Sequence, residues 1–287
     1  MVEQKLPKLT TRVRFPSPAP IDPENAQAAS DLLWDHWQAG RRMDAIPQDI
    51  RPATREAGYA VQELLERRSG KPLFGWKIAA TSAAGQAHIN VDGPLAGRLL
   101  AERIHESDAE LRFGANHMRV AEAEFAFRMG RDLPPREKPY AVIEVLEAVD
   151  TLHPAIEVPD SRFNDFTIVG APQLIADNAC AHDFLLGSAA PSAWRDVDLV
   201  QHRVSGRVEN KLEREGIGAN VLGDPRVALT WLVNEVSGLG LTLMAGQVVT
   251  TGTCLAPLPI EPGDAVSMDF GRLGRITVRF QPEPIIR

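Results

Sequence analysis

Hydrophobic positions along this chain change period several times, and each change predicts an element. Asp22-Pro23 pairs a side-chain cap with a proline at the first helical position. Ala26, Ala29, Leu33 and Trp37 then recur at helical spacing up to Gly40. The same period predicts a second helix over 54–68, with Ala57, Val61, Leu64 and Leu65 inward and Gly70 as the stop. Trp34 and Trp37 read as packing between these helices. From Pro72 the texture turns to short alternating runs: 74–79 reads as a strand carrying Lys77, and Gly93-Pro94 and Gly97 mark a turn. Over 119–129 the alternation is strict. Ala121, Ala123, Phe125, Phe127 and Met129 form a face that wants a core. Val120, Glu122, Glu124 and Ala126 form the other, with two carboxylates about 7 Å apart.

Further on, a helix is predicted over 140–150 with Ile143, Leu146 and Val149 on one side, and a strand over 153–159, between prolines, holding Glu157. A short helix over 174–181 and a strand over 183–186 follow. Residues 197–208 read as a hairpin turning near Ser205-Gly206. Asp224-Pro225 opens a helix through Trp231, Leu232 and Val236 to Gly238, and strands follow over 247–251, 265–270 and 275–280. The predicted organisation is a flexible leader over 1–21, an N-terminal helical lobe over 22–71 and a β-rich domain over 72–287.

At 287 residues, 44% hydrophobic and 24% charged, the chain has the composition of a globular protein and not of a disordered one. A net charge of −7 without a sustained Lys/Arg block argues against nucleic acid as a partner and leaves room for a small anionic substrate. Cys180 and Cys254 share no CxxC spacing, which fits neither a disulfide framework nor a zinc site and suits the reducing cytoplasm. No apolar run approaches the roughly 20 residues of a membrane helix. Gly216-Ile217-Gly218-Ala219-Asn220 reads as a glycine-rich turn and not as a dinucleotide loop, since the third glycine is misplaced and no βαβ unit follows. His88 and His182 have no metal-ligand spacing and read as structural or surface residues.

The candidate chemistry lies in the acidic residues. On one strand, Glu122 and Glu124 make either a solvated outer face or a hard-cation site, and alternation alone does not choose. Glu157 adds a third carboxylate in an apolar run, where burial without a partner costs several kcal/mol. Three carboxylates suit an octahedral Mg²⁺ or Mn²⁺ and leave positions for a bidentate 2-oxo acid, whose enolate the ion stabilises. Lys77 either snorkels to the surface or stands near that enolate as proton carrier or fixed charge.

Several blocks resemble one family. They are Gly75-x-Lys77-Ile78, the strand around Glu122 and Glu124, and Ala155-Ile156-Glu157-Val158-x-Asp160-Ser161-Arg162-Phe163. Ile175-Ala176-Asp177-Asn178, Gly218 to Pro225 with Trp231-Leu232, and Gly246-x-x-Val249-Thr250-Thr251-Gly252 complete the set. Together they are similar to the 2-keto-4-pentenoate hydratase/oxalocrotonate decarboxylase group of the fumarylacetoacetate hydrolase superfamily. The resemblance implies an α+β fold with a mixed β-roll core, and a cytoplasmic homo-oligomer dependent on Mg²⁺ or Mn²⁺. It implies Glu122, Glu124 and Glu157 as metal ligands, Lys77 as the active-site lysine, and Ser82, Thr251 and Gly252 along the substrate pocket. Arg162 is left either balancing Asp160 or helping to hold the acidic site. The family's acidic residue after the proline at Pro94 is Leu95 here. The implied activity is a hydro-lyase adding water to a 2-hydroxydienoate or 2-oxo-4-enoate from aromatic catabolism. Decarboxylation of an oxalocrotonate-type 2-oxo acid, C–C hydrolysis of an acylpyruvate with a base such as His88–Glu106, and a non-catalytic partner subunit binding a 2-oxo acid are the alternatives.

Overall fold

The alternating segments pair into two sheets in the computed structural model, which describes residues 21–282; nearly all of the expected leader lies outside them. In chain order the strands are β1 (Gly75–Ala79), β2 (Leu95–Leu99), β3 (Ile104–Glu106), β4 (Ala109–Leu111), β5 (Val120–Met129), β6 (Val149–Val158) and β7 (Asp183–Leu186). They continue with β8 (Arg203–Val208), β9 (Leu212–Ile217), β10 (Val248–Thr253), β11 (Leu258–Pro259), β12 (Ala265–Asp269) and β13 (Arg275–Phe280). One sheet runs β2-β1-β10-β5-β6-β7-β3, with β11 extending the start of β5, and the other runs β4-β13-β12-β8-β9. Both mix parallel and antiparallel pairs. The core lies between them: Phe125 and Phe127 on β5 and Ile156 on β6 cluster with Val208, Met268, Ile276 and Val278 of the second sheet. The architecture is α+β, as the family resemblance implies.

Helices α1 (Pro23–Ala39) and α2 (Arg55–Glu66) form where their caps stand. Asp22 accepts from Glu24 N–H and Gly40 closes α1 in a left-handed conformation, while Thr54 accepts from Ala57 N–H and α2 stops at Arg67, before Gly70. Their apolar faces share a small core with Phe163 and Ala176, so the N-terminal helices pack on the chain around α5 (Ala171–Ala176), which follows α3 (Ala83–His88) and α4 (Val142–Glu147). α6 (Pro225–Gly238) opens at the Asp224 cap.

Several expected boundaries move. The turn read over Gly93–Gly97 is in fact the start of β2, because Leu95, Ala96 and Leu99 are all buried. The helix read over 140–150 is only α4: Ile143 points outward, Val145 is the buried residue, and β-branched Val149 already opens β6. The helix over 174–181 breaks after Ala176 into a left-handed turn. The hairpin turns at 209–211, not at Ser205-Gly206, because Gly206 sits mid-strand where a Cβ would come within 2.6 Å of Met268 Sδ.

Arg162 is a structural cation, and its carboxylate partner is Asp177, not Asp160, which is paired with Arg42. Its Nε donates to Asp177, its Nη1 to the Asp160 carbonyl at 2.8 Å, and its guanidinium lies 4.6 Å from the Trp37 ring centroid. Both Arg162 and Asp177 are fully buried. Arg162→Ala leaves that buried carboxylate without its cation, with only the Ser161 hydroxyl and the backbone N–H of residue 162 still donating to it. Equilibrium urea unfolding should show a loss of about 3–5 kcal/mol.

The same α1 contact contains a pH-sensitive group. Trp37 Nε1, which can only donate, gives its hydrogen bond to His182 Nδ1 at 2.8 Å, so the imidazole is held neutral. Burial pushes its pKa down to about 4; Asp183 and Asp160 oppose this, and Arg103 and Arg162 reinforce it. Below its usual pKa the unfolded chain binds this proton more readily than the folded one. The contribution is therefore complete above about pH 6.5 and lost as pH falls towards 4, by on the order of 3 kcal/mol. Unfolding of His182→Gln between pH 7 and 4 should show a flatter pH dependence than the parent.

Candidate metal and substrate site

The carboxylates come together through strand register. β5 and β6 run antiparallel with Glu122 directly opposite Glu157, and Glu124, two residues on, shares their face. This is the face turned away from the inter-sheet core. A row across the same face, Lys77 on β1, Thr250 on β10 and Ala126 on β5, brings the lysine to it. The expected set of Glu122, Glu124, Glu157 and Lys77 is thus brought together from three strands, β1, β5 and β6, with β10 pairing between the first two. Carboxylate oxygens of the three glutamates lie within 4.8 Å of one another. Glu124 and Glu157 are buried and Glu122 is half-buried.

A bulge completes Glu124's surroundings. The β10–β5 register slips between Thr250 and Thr253, and Gly252 adopts φ +91° there. The slip aims the Gly252 N–H at Glu124 Oε2 over 2.8 Å, beside the Thr250 hydroxyl that donates to the same oxygen. A Cβ at 252 would meet Thr81 Oγ1 at 2.2 Å, so both conformation and space require glycine. Glu124 Oε1 and both oxygens of Glu157 are buried without any hydrogen-bond donor. Lys77 Nζ is 3.0 Å from Glu157 Oε1, close enough for charge attraction but off the hydrogen-bonding direction, and donates to the Ala179 carbonyl at 3.0 Å. Three donor-poor oxygens converging in a buried site are what an oxygen-seeking cation satisfies, so these residues fit a divalent ion.

The electrostatics follow from burial and like charge. Burial, then Glu157, pushes Glu122 up to about 7, with Lys77 pulling the other way. Burial, Glu157 and Glu122 raise Glu124 well above the carboxylate range against Lys77 and the Thr250 hydrogen bond. For Lys77, burial favours the neutral amine, but Glu157, Glu122 and Glu124 outweigh it and hold the ammonium.

A cleft of about 900 Å³ opens over this face, with Lys77 and Glu122 among its lining residues. Ser82 and Gly252 are among its lining residues; the Ser82 hydroxyl also caps α3 by accepting from Gly85 N–H at 3.0 Å. Thr251 is placed elsewhere: it is fully buried and its hydroxyl donates to the Phe125 carbonyl, so it backs the wall and does not form it. His88, read as structural or surface, is exposed on the cleft wall, edge-on to Phe166 at 5.9 Å. Glu106 lies exposed on β3, outside the lining. Leu95 is fully buried in the main hydrophobic cluster, on the face of β2 that it shares with Gly97, the residue opposite Lys77.

Sequence reasoning missed the turn that carries the Ala179 carbonyl. Asn178, Ala179 and Cys180 are consecutively left-handed, with φ of 55°, 50° and 61°. This costs non-glycine residues about 1–2 kcal/mol each. The Asn178 amide holds the turn by bridging Arg98, accepting from its N–H at 2.6 Å and donating to its carbonyl at 2.8 Å. Gly97 leaves the room: a Cβ there would lie 2.4 Å from the Asn178 carbonyl. The asparagine was the available signal, since its side chain tolerates this region.

The fumarylacetoacetate (FAA) hydrolase C-terminal family profile matches residues 69–281. The chain is 30% identical over 265 residues to the 2-keto-4-pentenoate hydratase of Paraburkholderia xenovorans, covering 91% of this chain and 97% of that protein. It is 33% identical over 261 residues to the TodF product hydratase of Pseudomonas putida, covering 88% and 94%. The 4-oxalocrotonate decarboxylase of Pseudomonas putida G7, solved with magnesium and adipate, superposes with a TM-score of 0.82 at 26% identity, covering 90% of this chain and 98% of that one. A family profile spanning most of the chain, together with near full-length relatives, means that this protein belongs to the fumarylacetoacetate hydrolase family.

Proposed function

We propose that the protein is a Mg²⁺-dependent hydro-lyase that adds water to a 2-hydroxydienoate of the 2-keto-4-pentenoate type, giving a 4-hydroxy-2-oxo acid. The observation that carries this reading is the trio of converging carboxylates at an apolar cleft, Glu122 half-buried on its lining and Glu124 and Glu157 buried behind it with donor-free oxygens. Near full-length hydratase relatives support it. Glu122, Glu124 and Glu157 hold the ion, which when bound supplies a Lewis acid for the substrate's carboxylate and 2-oxygen. Gly252 N–H and the Thr250 hydroxyl fix the Glu124 carboxylate so that one oxygen faces inward. The Lys77 ammonium, held by Glu157 and the Ala179 carbonyl, stands beside the acidic cluster as a fixed positive charge and proton donor. Net reaction is addition of one H–OH: C5 gains a proton as the 2-hydroxyl gives one up, which converts the dienol to the 2-oxo-3-enoate, and water then adds across C3=C4 with its hydroxyl at C4 and its proton at C3. The apolar wall keeps bulk water from the substrate beyond the reacting carbons.

Loss of the dienol's ultraviolet absorbance on mixing with 2-hydroxypenta-2,4-dienoate, dependent on added Mg²⁺, tests this. CO₂ release from oxalocrotonate without hydration assigns the decarboxylase instead, and metal-linked pyruvate binding with no turnover assigns a binding subunit. Homo-oligomerisation belongs to the same proposal and is read by light scattering on the eluted protein.

A further inference from the structure

The floor of the cleft is charged and its walls are not. Beyond Lys77 and Glu122, the surfaces facing the space are built mainly from Ile89, Met118, Val120, Phe166, Leu222 and Leu255. Most of these are half-buried and pack against the main core, so the wall is anchored from behind. The wall's polar side chains are largely engaged. Asn220 Nδ2 donates to the Cys254 carbonyl at 2.8 Å and the Thr253 hydroxyl to the Leu255 carbonyl at 2.7 Å. Among the described lining residues there is no arginine, and the sole basic groups are Lys77, tied to the acidic floor, and His88 on the exposed wall. Arg119, between Met118 and Val120, turns away and stacks 5.1 Å from the Phe113 ring centroid. A five-carbon acid chelated at the floor fills only a small part of about 900 Å³, a size that suits a much larger ligand.

We infer that the cleft is built for a 2-hydroxydienoate whose far end is an uncharged alkyl or aryl chain, packed against Met118, Val120, Phe166 and Leu255, and that it discriminates against a substrate ending in a second carboxylate. The inference rests on the chelating site of the hydratase reading and adds the chemistry of the tail. Each methylene that leaves water for this wall gains affinity, whereas a distal carboxylate would be stripped of water with no cation to receive it.

The test compares kcat/KM for 2-hydroxypenta-2,4-dienoate, its alkyl-extended homologue 2-hydroxyocta-2,4-dienoate, and 2-hydroxyhepta-2,4-diene-1,7-dioate, with Mg²⁺. The alkyl homologue is expected to exceed the dioate by about a hundredfold or more, and Met118→Arg to shrink that ratio at least tenfold. Equal or better turnover of the dioate overturns the inference, and loss of that turnover in His88→Ala identifies the imidazole as the unforeseen receptor. Binding separates this from failure of the hydratase reading. Titrations with pyruvate, 2-oxooctanoate and 2-oxopimelate in the presence of Mg²⁺ need no turnover. Tighter 2-oxooctanoate than 2-oxopimelate supports the apolar tail site even in an inactive protein; the reverse order overturns it. Absence of binding by all three removes the chelating site and this inference together.

Discussion

Glu124→Gln is expected to weaken divalent-metal binding by at least about a hundredfold and to lower kcat/KM for the dienoate by about a thousandfold or more. Glutamine keeps the shape and can still accept from Thr250 and the Gly252 N–H, so the β10 bulge has no reason to move. What disappears is one of three negative charges, and with it the inward-facing carboxylate oxygen that has no protein donor. In the metal-free protein burial, Glu157 and Glu122 already disfavour the ionised form of Glu124, a cost that the neutral glutamine does not carry, so the variant should unfold at a temperature no lower than the parent. The parent's thermal midpoint should rise with added Mg²⁺ or Mn²⁺ while the variant's stays put. Undiminished Mn²⁺ binding by Glu124→Gln, measured calorimetrically, would remove the residue from the ligand set.

Lys77→Met should separate binding from turnover. The ammonium is 3.0 Å from Glu157 Oε1 and competes with any ion placed among the glutamates. Without it the cluster is more negative, so Mg²⁺ affinity holds or tightens. Turnover falls by about 10²–10⁴-fold, the usual loss when a positioned proton donor or fixed charge is removed, with the effect in kcat more than in KM. Methionine fills most of the space, leaving the Ala179 carbonyl as the lost partner. A variant with parental kcat would show that the lysine only balances charge in the apo site.

Local patterns carried far in this chain where one element's own periodicity decides its structure. The strand around Glu122 and Glu124 alternates strictly because one face packs between two sheets, and β5 forms over Val120–Met129 with the predicted core face inward. α1 and α6 start at their Asp-Pro caps because capping is settled within one turn of chain. Errors fall where a neighbour overrides local preference. Val149 follows a helical run but pairs with Met129, and Gly206 reads as a turn but is the residue small enough to pass Met268.

The amino-acid sequence by itself determined which residues could do chemistry here: three glutamates and a lysine in apolar β context, and the blocks that mark the family. Tertiary structure alone decided that Glu157 stands opposite Glu122, that a bulge turns Gly252 towards Glu124, that Thr251 backs the wall, and that Arg162 serves Asp177. The reason is range. Side-chain alternation and helix caps are set by a few adjacent residues, whereas register, bulges and left-handed turns are set by contacts between segments far apart in the chain, whose free energies no single segment contains.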